Sequence, residues 1–162
     1  MKENYTKWLN QILGKQIEGG YVNDPKDPGG PTNHGVTQRV YNSWRLKNGL
    51  KAQGVQNCTV EEASKIFENL YWDVVKADEL PEPLDLIAFD CAINQGPGDC
   101  LKMLVNVSQV EDIEEKCKKM MQLRKDDYDQ CSPTLKQRFY HGWMNRLDYI
   151  WKLTGFEGDW RS

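Results

Sequence analysis

Glu18, Asp27 and Thr32 are the residues of this chain whose types and spacing could do chemistry, and the reaction they fit is cleavage of a glycosidic bond. Glu18 stands in Ile17-Glu18-Gly19-Gly20-Tyr21, Asp27 follows nine residues later, and Thr32 comes five beyond that, inside Asp27-Pro28-Gly29-Gly30-Pro31-Thr32-Asn33-His34-Gly35-Val36-Thr37. Such a reaction uses one carboxyl as proton donor, a second carboxylate on the other side of the sugar, and a group that holds a water. Asp24 is near enough in the chain to be an alternative second carboxylate, and Tyr21 is an aromatic ring that could stack on a sugar. On spacing alone, a Gly-rich connection with acidic residues solvated in turns accounts for the same residues as well.

The elements that must position these groups are legible on either side. Tyr5, Trp8, Leu9, Ile12, Leu13 and Ile17 recur at spacings of three and four, which predicts a helix with one buried stripe ending beside Glu18. Gly19 then reads as the residue that stops the helix in a left-handed conformation. Glu18 is expected at the helix C-terminus and partly buried, two features that disfavour a charged carboxyl. A carboxyl kept protonated can serve as general acid. Pro25, Pro28 and Pro31 restrict the following segment, which reads as turns or a small hairpin holding Asp24, Asp27 and Thr32. Thr37 is the expected N-cap of a helix running through Val40 and Trp44 toward Gly49.

Downstream the pattern is helical. Thr59-Val60-Glu61-Glu62 reads as a capping box opening a helix with the stripe Ala63, Ile66, Phe67, Leu70, Tyr71 and Val74. Pro81-Glu82-Pro83 launches another, with Leu84, Ile87, Ala88, Cys91 and Ala92 on its apolar face and Gly96-Pro97 ending it. Asp90 and Asn94, four apart, share a face bordering that stripe. A charged helix from about Val110 to Tyr128 should bury Ile113, Cys117, Met120 and Met121, with its charges solvated. Ser132-Pro133 starts a last helix whose expected core stripe is Leu135, Phe139, Trp143, Leu147 and Ile150; Trp143 and Trp151 are read as core. Tyr71 and Trp72 join Tyr21 as candidate sugar-stacking residues.

Size and composition narrow the class. The 162 residues suffice for one compact unit or two closely packed lobes, without disulfide staples. A net charge of −3 argues against nucleic-acid binding, which normally leaves a basic footprint. Five cysteines without a Cys-x-x-Cys pair read as free thiols folded in a reducing cytoplasm. His34 and His141 are far apart and lack metal-ligand spacing, so neither a metal nor another cofactor is expected. No signal-peptide-like or membrane-spanning apolar run occurs, so the expectation is synthesis in the cytoplasm, no membrane insertion, and export through a holin or a secretion system.

The segments Glu18-Gly19-Gly20-Tyr21, Asp27-Pro28-Gly29-Gly30-Pro31-Thr32 and Gly35-Val36-Thr37 closely resemble the signature of the N-acetylmuramidases of glycoside hydrolase family one hundred and eight, found in phage endolysins and bacterial secretion-activator proteins. The resemblance continues through Phe89-Asp90-Cys91-Ala92-Ile93-Asn94-Gln95-Gly96-Pro97 and Phe139-Tyr140-His141-Gly142-Trp143-Met144-Asn145-Arg146-Leu147, so it spans nearly the whole chain. It implies that Glu18 is the catalytic acid, that Asn94 and Gln95 lie in the substrate cleft, and that the part after Asn94-Gln95-Gly96-Pro97 binds peptidoglycan. A more distant likeness to phage-type lysozymes puts Asp27, ahead of Asp24, forward as second carboxylate and Thr32 as the hydroxyl that holds a water.

The expected fold is mainly helical, a lysozyme-like α+β domain with a small Gly/Pro-rich loop or hairpin at the cleft and a helical C-terminal lobe. Residues 1–96 would form the catalytic region and 97–162 a peptidoglycan-binding lobe packed on it. The expected substrate is the glycan strand of bacterial peptidoglycan, cut by a monomer. Three readings stay open: a muramidase; a lytic transglycosylase, which has no need of a held water; and a non-catalytic wall-binding or secretion-accessory protein. Origin in a phage or a bacterium, the host and its cross-link preference are not legible.

Overall fold

Six apolar side chains on one stripe make the first helix worth forming. In the computed structural model, which describes residues 2–26 and 29–162, α1 spans Lys2–Glu18 and buries Tyr5, Trp8, Leu9, Ile12, Leu13 and Ile17. Each such burial contributes about 1.5–3 kcal/mol relative to exposure. The partner is the helix Val60–Phe67 (α3, numbered in chain order), and the Tyr5 hydroxyl donates to its Ser64 carbonyl.

Gln38–Lys47 forms α2, whose N-cap Thr37 accepts from the Val40 N–H. The capping box of α3 is present, with the Glu62 N–H donating to Thr59 Oγ1 at 3.1 Å and the Thr59 N–H to Glu62 at 3.3 Å. The same Glu62 carboxylate accepts from the Tyr41 hydroxyl and pairs with Arg45 at 3.0 Å, so one half-buried cluster ties α2 to α3. These contacts lie within the first of two compact units, Met1–Leu70; the second is Tyr71–Ser162.

Between α1 and α2 the Gly- and Pro-rich segment folds into a three-stranded antiparallel sheet of two-residue strands: β1 Tyr21–Val22, β2 Thr32–Asn33 and β3 Val36–Thr37. Thr32 lies opposite Val22 and Thr37, and Asn33 opposite Tyr21 and Val36. Directly opposed residues share a face, so Thr32 and Asn33 point to opposite sides. Asn33 is buried, and its amide donates to the carbonyls of Val55, Gln56 and Cys58 at 3.0, 3.2 and 3.2 Å. So short a sheet is marginal alone; this anchor and the two flanking helices hold it.

Past α3 the chain departs from the sequence expectation. Glu68–Trp72 continues as a π-helix, whose wider turn shifts the apolar register. Trp72 and Val75 are buried, whereas Val74, expected inside, is 44% exposed and Leu70 and Tyr71 are half-buried.

In the second unit, Leu84–Gln95 forms α4, packed against α5 (Pro97–Asn106), α6 (Ile113–Asp129) and α7 (Pro133–Thr154). Every residue from Leu84 to Ala92 is buried, so α4 has no solvent face in that stretch, in contrast to the single apolar face predicted. Gly96 ends it with φ 97°, and Asp112 and Ser132 cap α6 and α7. On α6, Cys117, Met120 and Met121 are buried as expected, but so is Arg124, whose charge was expected in solvent. On α7 the expected core stripe holds only in its second half. Leu147, Ile150 and Trp151 are buried, whereas Leu135 and Phe139 are 46% and 41% exposed. Trp143 is half-buried and stacks on Tyr128, with ring centroids 4.6 Å apart.

The protein is mainly helical with one small sheet. Its packing units divide at Leu70/Tyr71, so α4, placed by the sequence reading with residues 1–96, packs with the C-terminal helices.

Candidate active site

Glu18 is the last residue of α1 and is exposed. The helix end expected beside it is present; the partial burial is not. The chain turns left-handed one residue later than expected, at Gly20 with φ 71°. Gly19 is constrained by space instead, because a Cβ there would stand 3.0 Å from the Lys15 carbonyl oxygen.

A residue that the sequence reading weighed only as a metal ligand finishes this end of the helix. The β2–β3 hairpin turns through His34 and Gly35 with φ 51° and 79°, the pattern of a type I′ turn. A left-handed side-chain residue costs roughly 1–2 kcal/mol. From that conformation His34 Nδ1 donates to the Ile17 carbonyl, one of the acceptors that a helix C-terminus leaves open. The His34 N–H also donates to the Gly20 carbonyl, at 3.4 Å. A Cβ on Gly35 would stand 3.1 Å from Gln16 Cβ and 3.5 Å from Phe67, so the turn is seated on the last turn of α1. Two residues with Gly second, between the extended pairs Thr32-Asn33 and Val36-Thr37, are the sequence signal that could have found this hairpin.

Thr32 is half-buried in the central strand, on the face it shares with Val22 and Thr37. Thr37 also lines a groove of about 660 Å³ with Gly29, Arg39, Val40, Ser43 and Leu70, a volume within the range of small-ligand clefts. Tyr21, in the edge strand, is 47% exposed and free to meet a ligand ring. Asp24 is exposed, and its carboxylate accepts from the Lys26 N–H at 2.9 Å, closing a local turn. Asp27 lies outside the described residues.

The other candidates belong to the second unit, and most of their polar atoms are already engaged. Trp72 is a core residue: it meets Phe89 edge-on at 5.3 Å, and its Nε1 donates to Asp78 at 3.0 Å, which corrects its expected role as a sugar platform. Tyr71 is half-buried, and burial raises the pKa of its hydroxyl. Asn94, exposed near the end of α4, donates to the Asp90 carbonyl and carboxylate at 2.9 and 3.1 Å. Gln95 donates to the Arg124 carbonyl and to Asp127 and accepts from Arg124 Nε, at 3.0, 2.8 and 2.6 Å.

These amides border an ion-pair network that spacing did not reveal. The Asp90 carboxylate is fully buried between Arg124 at 2.7 Å and Arg146 at 2.5 Å. Burial alone would depress the Arg124 pKa, yet the adjacent Asp90 holds it above its ordinary value. Arg124 Nη1 has no hydrogen-bond partner among the described residues. Asp90 and Arg146 come from two of the motifs that carried the family resemblance, so those motifs meet in a structural role.

All five cysteines are free thiols, four of them buried. Among the described residues no three His, Cys, Asp or Glu side chains gather as metal ligands, and no helix is long and apolar enough to cross a membrane.

A helical protein whose first helix ends in an exposed carboxyl, braced by a small sheet, has the lysozyme-like plan. The chain belongs to the Glycosyl hydrolase 108 family, whose profile matches residues 9–96, from the middle of α1 to the end of α4. It is also similar to a solved structure, SagA of Brucella abortus, at 27% identity over 93% of this chain and 92% of that one, with a TM-score of 0.76. No curated protein sequence matches the chain. Membership points to a glycosidase with a carbohydrate substrate such as peptidoglycan.

Proposed function

We propose that the protein is an N-acetylmuramidase, hydrolysing the β-1,4 bond between N-acetylmuramic acid and N-acetylglucosamine in peptidoglycan. The observation that supports it most is the exposed Glu18 carboxyl at the end of a helix whose Ile17 carbonyl is bonded by the hairpin carrying Thr32. In this reading Glu18 gives its proton to the leaving oxygen as the glycosidic C–O bond breaks. A water held by Thr32 adds its oxygen to the anomeric carbon and passes a proton to Asp27. The aromatic face of Tyr21 stacks on a sugar. Residues 1–96 are the catalytic region, and 97–162 serve wall binding. The enzyme acts as a monomer and reaches the wall through a holin or a secretion system.

Mass spectrometry of fragments released from purified peptidoglycan tests this reading. Reducing muramic ends are expected. Anhydro ends would identify a transglycosylase, and no release would identify a wall-binding protein without catalysis.

A further inference from the structure

The hydrogen bond from His34 to the Ile17 carbonyl joins the hairpin to the peptide immediately before Glu18. Two other contacts flank it: the His34 N–H on the Gly20 carbonyl, just past the end of α1, and Gly35 against Gln16 in its last turn. The hairpin therefore grips residues 16, 17 and 20, on both sides of Glu18. It grips them from a residue with φ 51°, a conformation that few residues with a side chain adopt and that His, like Asn and Asp, enters more readily than most. A backbone held in an unfavourable region persists where surrounding contacts over-determine it, and such places cluster at functional sites.

We infer that His34 is a positioning residue for Glu18: its Nδ1–H···O=C bond to Ile17 fixes the direction in which the last turn of α1 presents the carboxyl. Donation requires the ring proton on Nδ1, which sets the tautomer. The inference rests on the reading of Glu18 as general acid. Because His34 acts through the backbone of α1, its loss should lower turnover on bound substrate and leave substrate affinity in place. A displacement of a catalytic group by about 1 Å can cost up to about a hundredfold in rate.

The test uses soluble muramyl oligosaccharides, so that kcat and KM are measured separately, with the thermal midpoint of each variant recorded. His34→Gly keeps the left-handed backbone and deletes the donor. His34→Asn tolerates that backbone and puts an N–H donor on the same δ position. The expected result is a loss of about tenfold or more in kcat for His34→Gly with KM within about twofold, and recovery to within about threefold of wild type in His34→Asn. If His34→Gly keeps kcat within about twofold, if it changes KM alone, or if His34→Asn is as slow as His34→Gly, the inference is wrong. Should His34→Gly not fold, His34→Asn against its isostere His34→Asp decides: equal kcat values overturn the positioning role, and a slower Asp variant with unchanged KM supports it. Glu18→Gln assayed in parallel separates the two levels. If Glu18→Gln is inactive while His34→Gly is fully active, this inference alone falls. An active Glu18→Gln removes the reading of Glu18 and the inference with it.

Discussion

Two acidic residues, each in a segment shared with the family signature, meet opposite fates. Glu18 ends α1 exposed, with the neighbouring carbonyl capped by a histidine from a hairpin. Asp90 lies in the middle of α4 with no exposed surface, held by Arg124 and Arg146. The physical difference is the cost of desolvating charge. An isolated buried carboxylate is expensive, so Asp90 exists only with its partners, and its lone pairs are committed to them. Glu18 keeps its carboxyl open to solvent. A shared motif residue is thus as readily a strut as a reactive group, and burial with partners tells which.

The exposed carboxyl is tested by Glu18→Gln. It should lower wall clearing by about two to four powers of ten while leaving the thermal midpoint within a degree or two, because an exposed amide keeps the shape and cannot donate the proton. The mirror image is Asp90→Ala, which should cost about 3–5 kcal/mol of stability by stranding Arg124 in the core. Chemical denaturation would show the loss, and an Asp90→Ala protein as stable as wild type would dissolve the contrast. Thr32→Val, nearly isosteric, should reduce turnover by about tenfold or more through loss of the hydroxyl, with little change in stability at this half-buried position. The smallest effect concerns pH. Burial pushes the Cys58 thiol up to about 11, and burial with the nearby Asp85 pushes Cys117 up to about 12, from an ordinary 9.0. Folded pKa values above the unfolded one mean stability complete below pH 9 and lost as pH rises toward those values. A thermal midpoint that falls above pH 9, and falls less in Cys58→Ala, is the expected outcome.

What the sequence disclosed was what local physics decides. The stripe of α1 follows from a single helical period, and the caps at Thr37, Thr59 and Ser132 from hydrogen bonds made within three residues. The misses came where one element depends on another. The π turn at Glu68–Trp72 leaves no periodic signature, so Trp72 was expected on a sugar and is found in the core. Phe139 keeps the spacing of a core residue, yet the first half of α7 is not buried as its second half is. Arg124 looks like a solvent-facing charge until Asp90 is brought beside it. At the candidate site the position of Glu18 at the end of α1 was legible and its exposure was not, whereas the His34–Ile17 hydrogen bond required knowing that the hairpin returns to the end of α1.

In the proposed mechanism the exposed end of α1 runs a single-displacement hydrolysis with a water held beside Thr32. That geometry needs the two carboxyls about 6.5–9.5 Å apart and inverts the anomeric centre, whereas a nucleophilic second carboxylate needs about 5–5.5 Å and retains it. Proton NMR of the first product released from a soluble β-linked muramyl oligosaccharide measures the outcome directly. The α anomer should appear first and mutarotate afterwards. A β anomer appearing first would contradict the single displacement and remove the water-holding role from Thr32.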